Sequence, residues 1–164
     1  MSRRSEHKDG VFLIVAQTIG TLGTCDRARV GAVLVREGRC VSWGYNGAPP
    51  GMPHCKENDH GWSGFTNGEL MDRGFDPTDP WIDAIQREGC RNVTHAEANA
   101  ISFAARQGIS TDECTLYVER TPCLECARLI IAAGIIRVVC AVPYRDLSGE
   151  KLLAEALIPV NYGS

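Results

Sequence analysis

The stretch CTLYVERTPCLECARLIIAAGIIRVVCAV, residues 114–142, decides the fold. Residues 114–118 include Thr115, Tyr117 and Val118, types that suit a pleated, half-buried strand. Residues 123–133 form a largely apolar segment of helical length that stops at Gly134, and glycine takes the left-handed backbone that ends helices at no steric cost. Residues 136–142 return to a β-branched run. Strand, helix and strand in this order and at this length form a crossover between parallel strands, so the sheet belongs to an α/β layered fold.

The same grammar extends in both directions. Upstream, a helix is predicted over 95–107, ending at Gly108, and downstream a last helix over 149–157. Val30 to Val35 and Cys40 to Tyr45 read as a hairpin with Glu37-Gly38 at its turn. Residues 11, 12, 15, 16, 19 and 22 fall on one side of a first helix. Between these parts, residues 46–92 are rich in Gly, Pro, Asp and Asn and form a loop-rich insertion. One short helix is expected inside it, with Asp79 as N-cap, Pro80 at its first position and Trp81, Ile82 and Ile85 on one face.

The chain has 164 residues, of which 44% are hydrophobic and 23% charged, the balance of an ordinary globule with a core of its own. Residues 1–164 are therefore expected to form a single domain. The net charge of −3 and the pI of about 5.8 argue against a broad grip on nucleic acid, which needs clustered Lys and Arg. The apolar run from Val11 to Ile19 is too short to span a bilayer, and no small-residue cleavage site follows it. A cytoplasmic protein without a membrane partner is expected. In that reducing compartment eight cysteines point to metal or to buried thiols, and Cys40, Cys114 and Cys140, in or beside β-rich runs, read as small buried hydrophobes.

Two short motifs carry the chemistry. In VTHAEANAI, residues 93–101, Thr94-x-x-Glu97 fits a capping box, whereas His95 and Glu97 together fit a metal ligand beside a proton shuttle. In TPCLEC, residues 121–126, Thr121 can cap a helix with Pro122 at its first position, which sets Cys123 and Cys126 on one face of the first turn. Alone, that pair fits a redox dithiol or half of a closed zinc site. Joined to His95 it makes three ligands, and three ligands leave zinc one open position, the catalytic form of such a site. Two thiolates cancel the charge of the ion, but the positive ends of two helices offset part of that loss of Lewis acidity. Glu97 can then face the same water as the ion.

The H-x-E and P-C-x-x-C elements form a signature of zinc deaminases acting on nucleobases. With HAEANAI, PCLECARLIIAAGI and GYNGAPPG (44–51), the chain closely resembles the deoxycytidylate (dCMP) deaminase family from about Val30 to Val142. The resemblance implies a cytidine-deaminase-like three-layer α/β/α fold with a five-stranded mixed sheet and the active site at two helix N-termini. It implies catalytic zinc on His95, Cys123 and Cys126, and Glu97 carrying protons while dCMP becomes dUMP and ammonia leaves. Backbone groups near Ala96 and Cys123 would fix the base edge, and Asn46 the sugar or base. Tyr144, after the last predicted strand, is a further candidate for the site wall. Glycines Gly47 and Gly51 are expected to offer backbone N–H groups to the phosphate.

Cys25, Cys55 and Cys90 resemble the ligands of a second, structural zinc found in relatives, with His60 as the fourth ligand and His54 as its rival. Arg106 matches a position associated with nucleotide regulation at subunit contacts. The resemblance thus implies a homohexamer activated by dCTP and inhibited by dTTP with Mg2+. Deamination of a modified cytosine nucleotide, of tRNA or another nucleic acid, and a zinc-stabilised binding module without catalysis are the competing readings. Retention of Glu97 speaks against the last, because a structural site has no use for a proton shuttle.

Overall fold

The computed structural model describes residues 3–25, 28–52, 54, 71–72, 74, 76, 78 and 93–163. The elements are α1 (Arg3–Gly20), β1 (Gly31–Arg36), β2 (Arg39–Tyr45), α2 (Ala96–Arg106), β3 (Thr115–Arg120), α3 (Leu124–Ala132), β4 (Arg137–Val142), α4 (Ser148–Glu155) and β5 (Val160–Tyr162). The short helix expected around Asp79 to Ile85 lies outside the described residues.

The five strands form one sheet in the order β2-β1-β3-β4-β5. β1 pairs antiparallel with β2 and with β3, whereas β3–β4 and β4–β5 are parallel. The sheet is therefore mixed and α/β, as the crossover pattern and the family resemblance imply. Glu37 (φ 52°) and Gly38 (φ 75°) make the two-residue turn between β1 and β2, with both residues left-handed as a right-twisted hairpin requires.

Alternation along the strands creates two cores. Ala32, Leu34, Leu116, Val118, Val138 and Cys140 point to one face and pack with Ala100, Ala104, Ala127, Ile130 and Leu153 of α2, α3 and α4. Val33, Val35, Tyr117 and Val139 point to the other, against Leu13 and Ala16 of α1. Both faces of the central strands are covered, which explains their near-continuous apolar sequence. The result is three layers: α1, the sheet, and α2, α3 and α4 together.

Several local expectations are corrected. Of the face expected on α1, Phe12, Val15, Ala16 and Ile19 do pack on the sheet, whereas Val11 and Leu22 are exposed and Leu13 is buried. Asp9 joins this buried face by pairing with Arg137 of β4, an ion pair that hydrophobic spacing does not encode. Cys114 and Cys140 are fully buried, but Cys40 is exposed at the start of β2, which lies at the sheet edge. Helices α2 and α3 end as expected, with Gly108 (φ 67°) and Gly134 (φ 69°) left-handed. In each, the next N–H reaches back across the last turn, Ile109 to Ala104 O and Ile135 to Ile130 O. The strand after α4, Val160–Tyr162, was not located by the pattern; it has only three residues and follows a left-handed Leu157 in place of a glycine.

Candidate active site

The sheet topology creates a crevice at the carboxyl ends of β3 and β4, where β3 changes from an antiparallel to a parallel neighbour. Such switch points leave room for ligands between diverging connections. The turn after β3 runs Thr121-Pro122-Cys123 into α3, and α2 brings its own N-terminus to the same place. Side-chain and backbone bonds hold α2 on β2: Ser42 donates to Ala100 O at 2.7 Å and Asn99 to Tyr45 O at 2.6 Å.

His95 is the N-cap of α2, Cys123 the N-cap of α3, and neither makes a side-chain capping bond. Helix α2 thus begins one residue later than a Thr94 cap implies and α3 two residues later than a Thr121 cap implies, so Pro122 precedes the helix. Thr94 instead pairs through its backbone with Gly47, each N–H donating to the other's carbonyl at 2.9 and 3.2 Å. The capping-box reading of Glu97 falls with it: Glu97 lies in the first turn, 5% exposed.

His95 Nδ1 lies 3.5 Å from both Cys123 Sγ and Cys126 Sγ. All three ligand atoms fall within 4.8 Å of one another, and among the described residues this is the one cluster of its kind. The fit to zinc is close. Bonds of 2.3 Å to sulfur and about 2.05 Å to nitrogen in a tetrahedron set the N–S edge at about 3.5 Å. Hydrogen bonds from Cys126 and His95 pull the Cys123 thiol down to about 4 against the opposing effect of burial. Cys126 moves upward, because it donates to Cys123 and is buried. Coordination requires both as thiolates. Cys123 already stands near that state, and Cys126 reaches it on losing the proton it shares. Burial also pushes the Glu97 carboxyl up, favouring its protonated form. The chain therefore carries one His/Cys/Cys zinc-binding site.

A cleft of about 330 Å³ opens on this cluster, a volume suited to a small molecule. His95, Ala96, Glu97, Cys123, Asn46 and Tyr144 line it, so the sequence-derived candidates converge on one space. Asn46 is more constrained than expected. Its Oδ1 accepts from Val30 N–H at 2.8 Å and its Nδ2 donates to Ala28 O at 2.6 Å, so it braces the chain before β1 while forming the wall.

Two cations of the cleft were not among the residues expected there. Arg120 and Arg145 line the cleft while remaining solvent-exposed, which places cations at its rim. Arg120 ends β3 and Arg145 lies within the loop after β4, and only the parallel pairing of those strands makes them neighbours of one site. The expected phosphate donors fare less well: Gly47 N–H is already bonded to Thr94 O, and neither Gly47 nor Gly51 lines the cleft.

Of the second proposed zinc set, Cys25 is buried against the wall of this same cleft and His54 is exposed. Cys55, His60 and Cys90 lie outside the described residues. Arg106 is exposed in the last turn of α2, at the end of that helix remote from His95. Among the described residues no helix is long and apolar enough to cross a membrane.

Residues 6–142 match the model of the cytidine and deoxycytidylate deaminase zinc-binding region. The chain is 33% identical over 147 residues to the deoxycytidylate deaminase of Enterobacteria phage T4, covering 80% of this chain and 76% of that protein. It is 33% identical over 153 residues to the deoxycytidylate deaminase of Saccharomyces cerevisiae, covering 93% of this chain and 43% of that longer protein. The crystal structure of the dCMP deaminase from cyanophage S-TIM5, in complex with dCMP and dUMP, superposes with a TM-score of 0.73 at 25% identity, covering 99% of this chain and 98% of that one.

Proposed function

The chain belongs to the cytidine and deoxycytidylate deaminase zinc-binding family, and on that premise we propose that it hydrolyses dCMP to dUMP and ammonia, with residues 1–164 acting as one catalytic domain. The observation that carries this reading is the placement of a buried carboxylate, Glu97, beside an open three-ligand set in a cleft with two arginines at its rim. The similar cyanophage enzyme, seen with dCMP and dUMP, supports the choice of nucleotide.

His95, Cys123 and Cys126 would hold the zinc, which would supply Lewis acidity and bring the pKa of a water there to about 7. Glu97 takes a proton from the attacking water and gives it to the ring nitrogen beside the amino-bearing carbon. It then carries the second water proton to the departing amine, so that water is consumed and ammonia leaves. A carboxyl pushed up by burial suits a group that must hold a proton for part of the cycle. Backbone groups at Ala96 and Cys123 read the base edge, and Tyr144 closes one wall. Asn46, with its amide oriented by Val30 and Ala28, still has one N–H for the sugar or base. Arg120 and Arg145 replace Gly47 and Gly51 as the groups that meet the phosphate.

The decisive test is ammonia release from dCMP, CMP, dCTP, deoxycytidine and cytosine at equal concentration. dCMP is expected to be the preferred substrate. Equal turnover of deoxycytidine, or release from none of the five, overturns the reading.

Three finer features belong to the same proposal. A second, structural zinc is held by Cys25, Cys55, Cys90 and His60, with His54 as rival. The protein is a cytoplasmic homohexamer. Activation by dCTP and inhibition by dTTP with Mg2+ act through Arg106, which α2 connects over roughly 16 Å to the zinc ligand at its other end. Sigmoidal kinetics in dCMP, relieved by dCTP and altered in Arg106→Ala, is the outcome that supports this regulation; hyperbolic kinetics indifferent to both triphosphates removes it.

A further inference from the structure

The loop from Pro143 to Leu147 leaves β4, carries Tyr144 and Arg145 into the cleft wall, and enters α4. The segment that binds it is the zinc-ligand turn. Thr121 N–H donates to Val142 O at 3.1 Å, at the start of the loop. Thr121 Oγ1 accepts from Tyr144 N–H at 2.6 Å, within the loop. Beyond its far end, Gly149 presses on the backbone of Pro122 and Cys123 so closely that a Cβ there would overlap Pro122 O. The two backbone fastenings at the ends do not depend on any side chain. The central one depends on a single hydroxyl, and Thr121 is 2% exposed, so water does not replace that bond readily.

We propose that the Thr121 hydroxyl is a positioning group for nucleotide selection: it fixes Tyr144 and, one residue on, Arg145 over the cleft, and so couples phosphate recognition to the zinc-ligand turn. This rests on the dCMP reading above. Two features of the loop make its registration matter. The Arg145 guanidinium lies 5.5 Å from the centre of the Tyr144 ring, so the aromatic and the cation form one unit. That unit hangs from the peptide N–H that Thr121 holds. A guanidinium positions a phosphate through paired, directional hydrogen bonds, and a shift of the loop by a fraction of an ångström misaligns them. The sulfur ligands are insulated from such a shift, because Cys123 is fixed by α3 and by Gly149, not by Tyr144.

The test compares Thr121→Val, which keeps the shape and removes the hydroxyl, with Thr121→Ser, which keeps the hydroxyl. Thr121→Ala carries the same expectation as Thr121→Val and serves if the valine variant does not fold. Steady-state kinetics on dCMP and on deoxycytidine, zinc content by atomic absorption, and dUMP affinity by calorimetry are measured on each. In the hydroxyl-free variant the KM for dCMP and the Kd for dUMP are expected to rise about tenfold, with kcat changed less than about twofold. Zinc content stays at the wild-type level, efficiency on deoxycytidine falls clearly less than efficiency on dCMP, and Thr121→Ser restores KM and Kd. An unchanged KM, a loss of zinc, an equal loss on deoxycytidine, or a serine variant as impaired as the valine one overturns the inference. Failure of the parent reading is visible separately, in wild-type protein that releases no ammonia from dCMP, and overturns both.

Discussion

Asp9 of α1 receives both terminal nitrogens of Arg137 on β4, Nη1 to Oδ1 at 3.0 Å and Nη2 to Oδ2 at 2.7 Å. Tyr117 of β3 donates to the same Oδ1 at 2.8 Å, and Arg137 Nε donates to Asn161 of β5 at 2.9 Å. One buried carboxylate thus joins the α1 layer to two strands directly and, through Arg137, to a third. Removing its charge leaves a half-buried guanidinium without its counterion, and Asp9→Asn is expected to cost about 2–3 kcal/mol. Guanidinium chloride midpoints of the two proteins at pH 7 check this.

The same pair sets an acid limit. Burial by itself raises the Asp9 carboxyl, but hydrogen bonds from Arg137 and Tyr117 and the guanidinium charge outweigh it and hold the group below its ordinary 3.8. A carboxyl that is harder to protonate folded than unfolded stabilises the fold at pH above the unfolded value. That contribution is lost as pH falls through the folded value. The stability difference between wild type and Asp9→Asn is therefore expected to be level above about pH 5 and to shrink below about pH 4. A difference that stays constant down to pH 3 contradicts the assignment.

Glu97→Gln separates catalysis from metal binding. The amide keeps the shape of a residue 5% exposed, and no zinc ligand changes, so zinc content and melting temperature should hold. The proton relay is gone, and turnover is expected to fall by on the order of 10²-fold or more. Near-normal turnover would assign the shuttle to another group.

Metal content distinguishes the two zinc proposals. Cys126 is 2% exposed with its sulfur against His95, so Cys126→Ser should lose the catalytic zinc and almost all activity. Cys55→Ser should instead lower the count from two zinc ions to one, with a lower melting temperature and the catalytic ion retained. A single zinc per wild-type chain, unaffected by Cys55→Ser, removes the structural site.

The parts legible in the sequence were those with local causes. Gly108 and Gly134 end their helices, Glu37-Gly38 turns the hairpin, and the spacing of Cys123 and Cys126 with His95 and Glu97 names the site. The helix starts were misplaced because Thr94 and Thr121 have the side chains of caps but are engaged elsewhere, with Gly47 and with Tyr144. The burial of Asp9 on the core face of α1 depended on Arg137, which lies 128 residues away. Arg120 and Arg145 were invisible for the same reason. Each is an ordinary surface cation until the parallel register of Arg120 with Val142 brings their two loops to one cleft.

That pair of arginines carries the sharpest prediction about substrate size. The reacting carbon is the same in cytosine, deoxycytidine and dCMP, so selection must come from groups remote from it. With a net charge of −3 the chain has no general attraction for phosphate, and the rim cations supply a local one. A charge-assisted hydrogen bond is worth about 1.5–3 kcal/mol, so two of them correspond to at least about a hundredfold in kcat/KM. Arg120→Ala and Arg145→Ala should each lower kcat/KM for dCMP by about tenfold or more, mainly through KM, and leave deoxycytidine unaffected. The double variant should bring the two substrates to similar efficiency, and the preference of the wild-type protein for dCMP should weaken as salt is raised. A double variant that still prefers dCMP a hundredfold would place the phosphate elsewhere, on donors of the 46–92 segment.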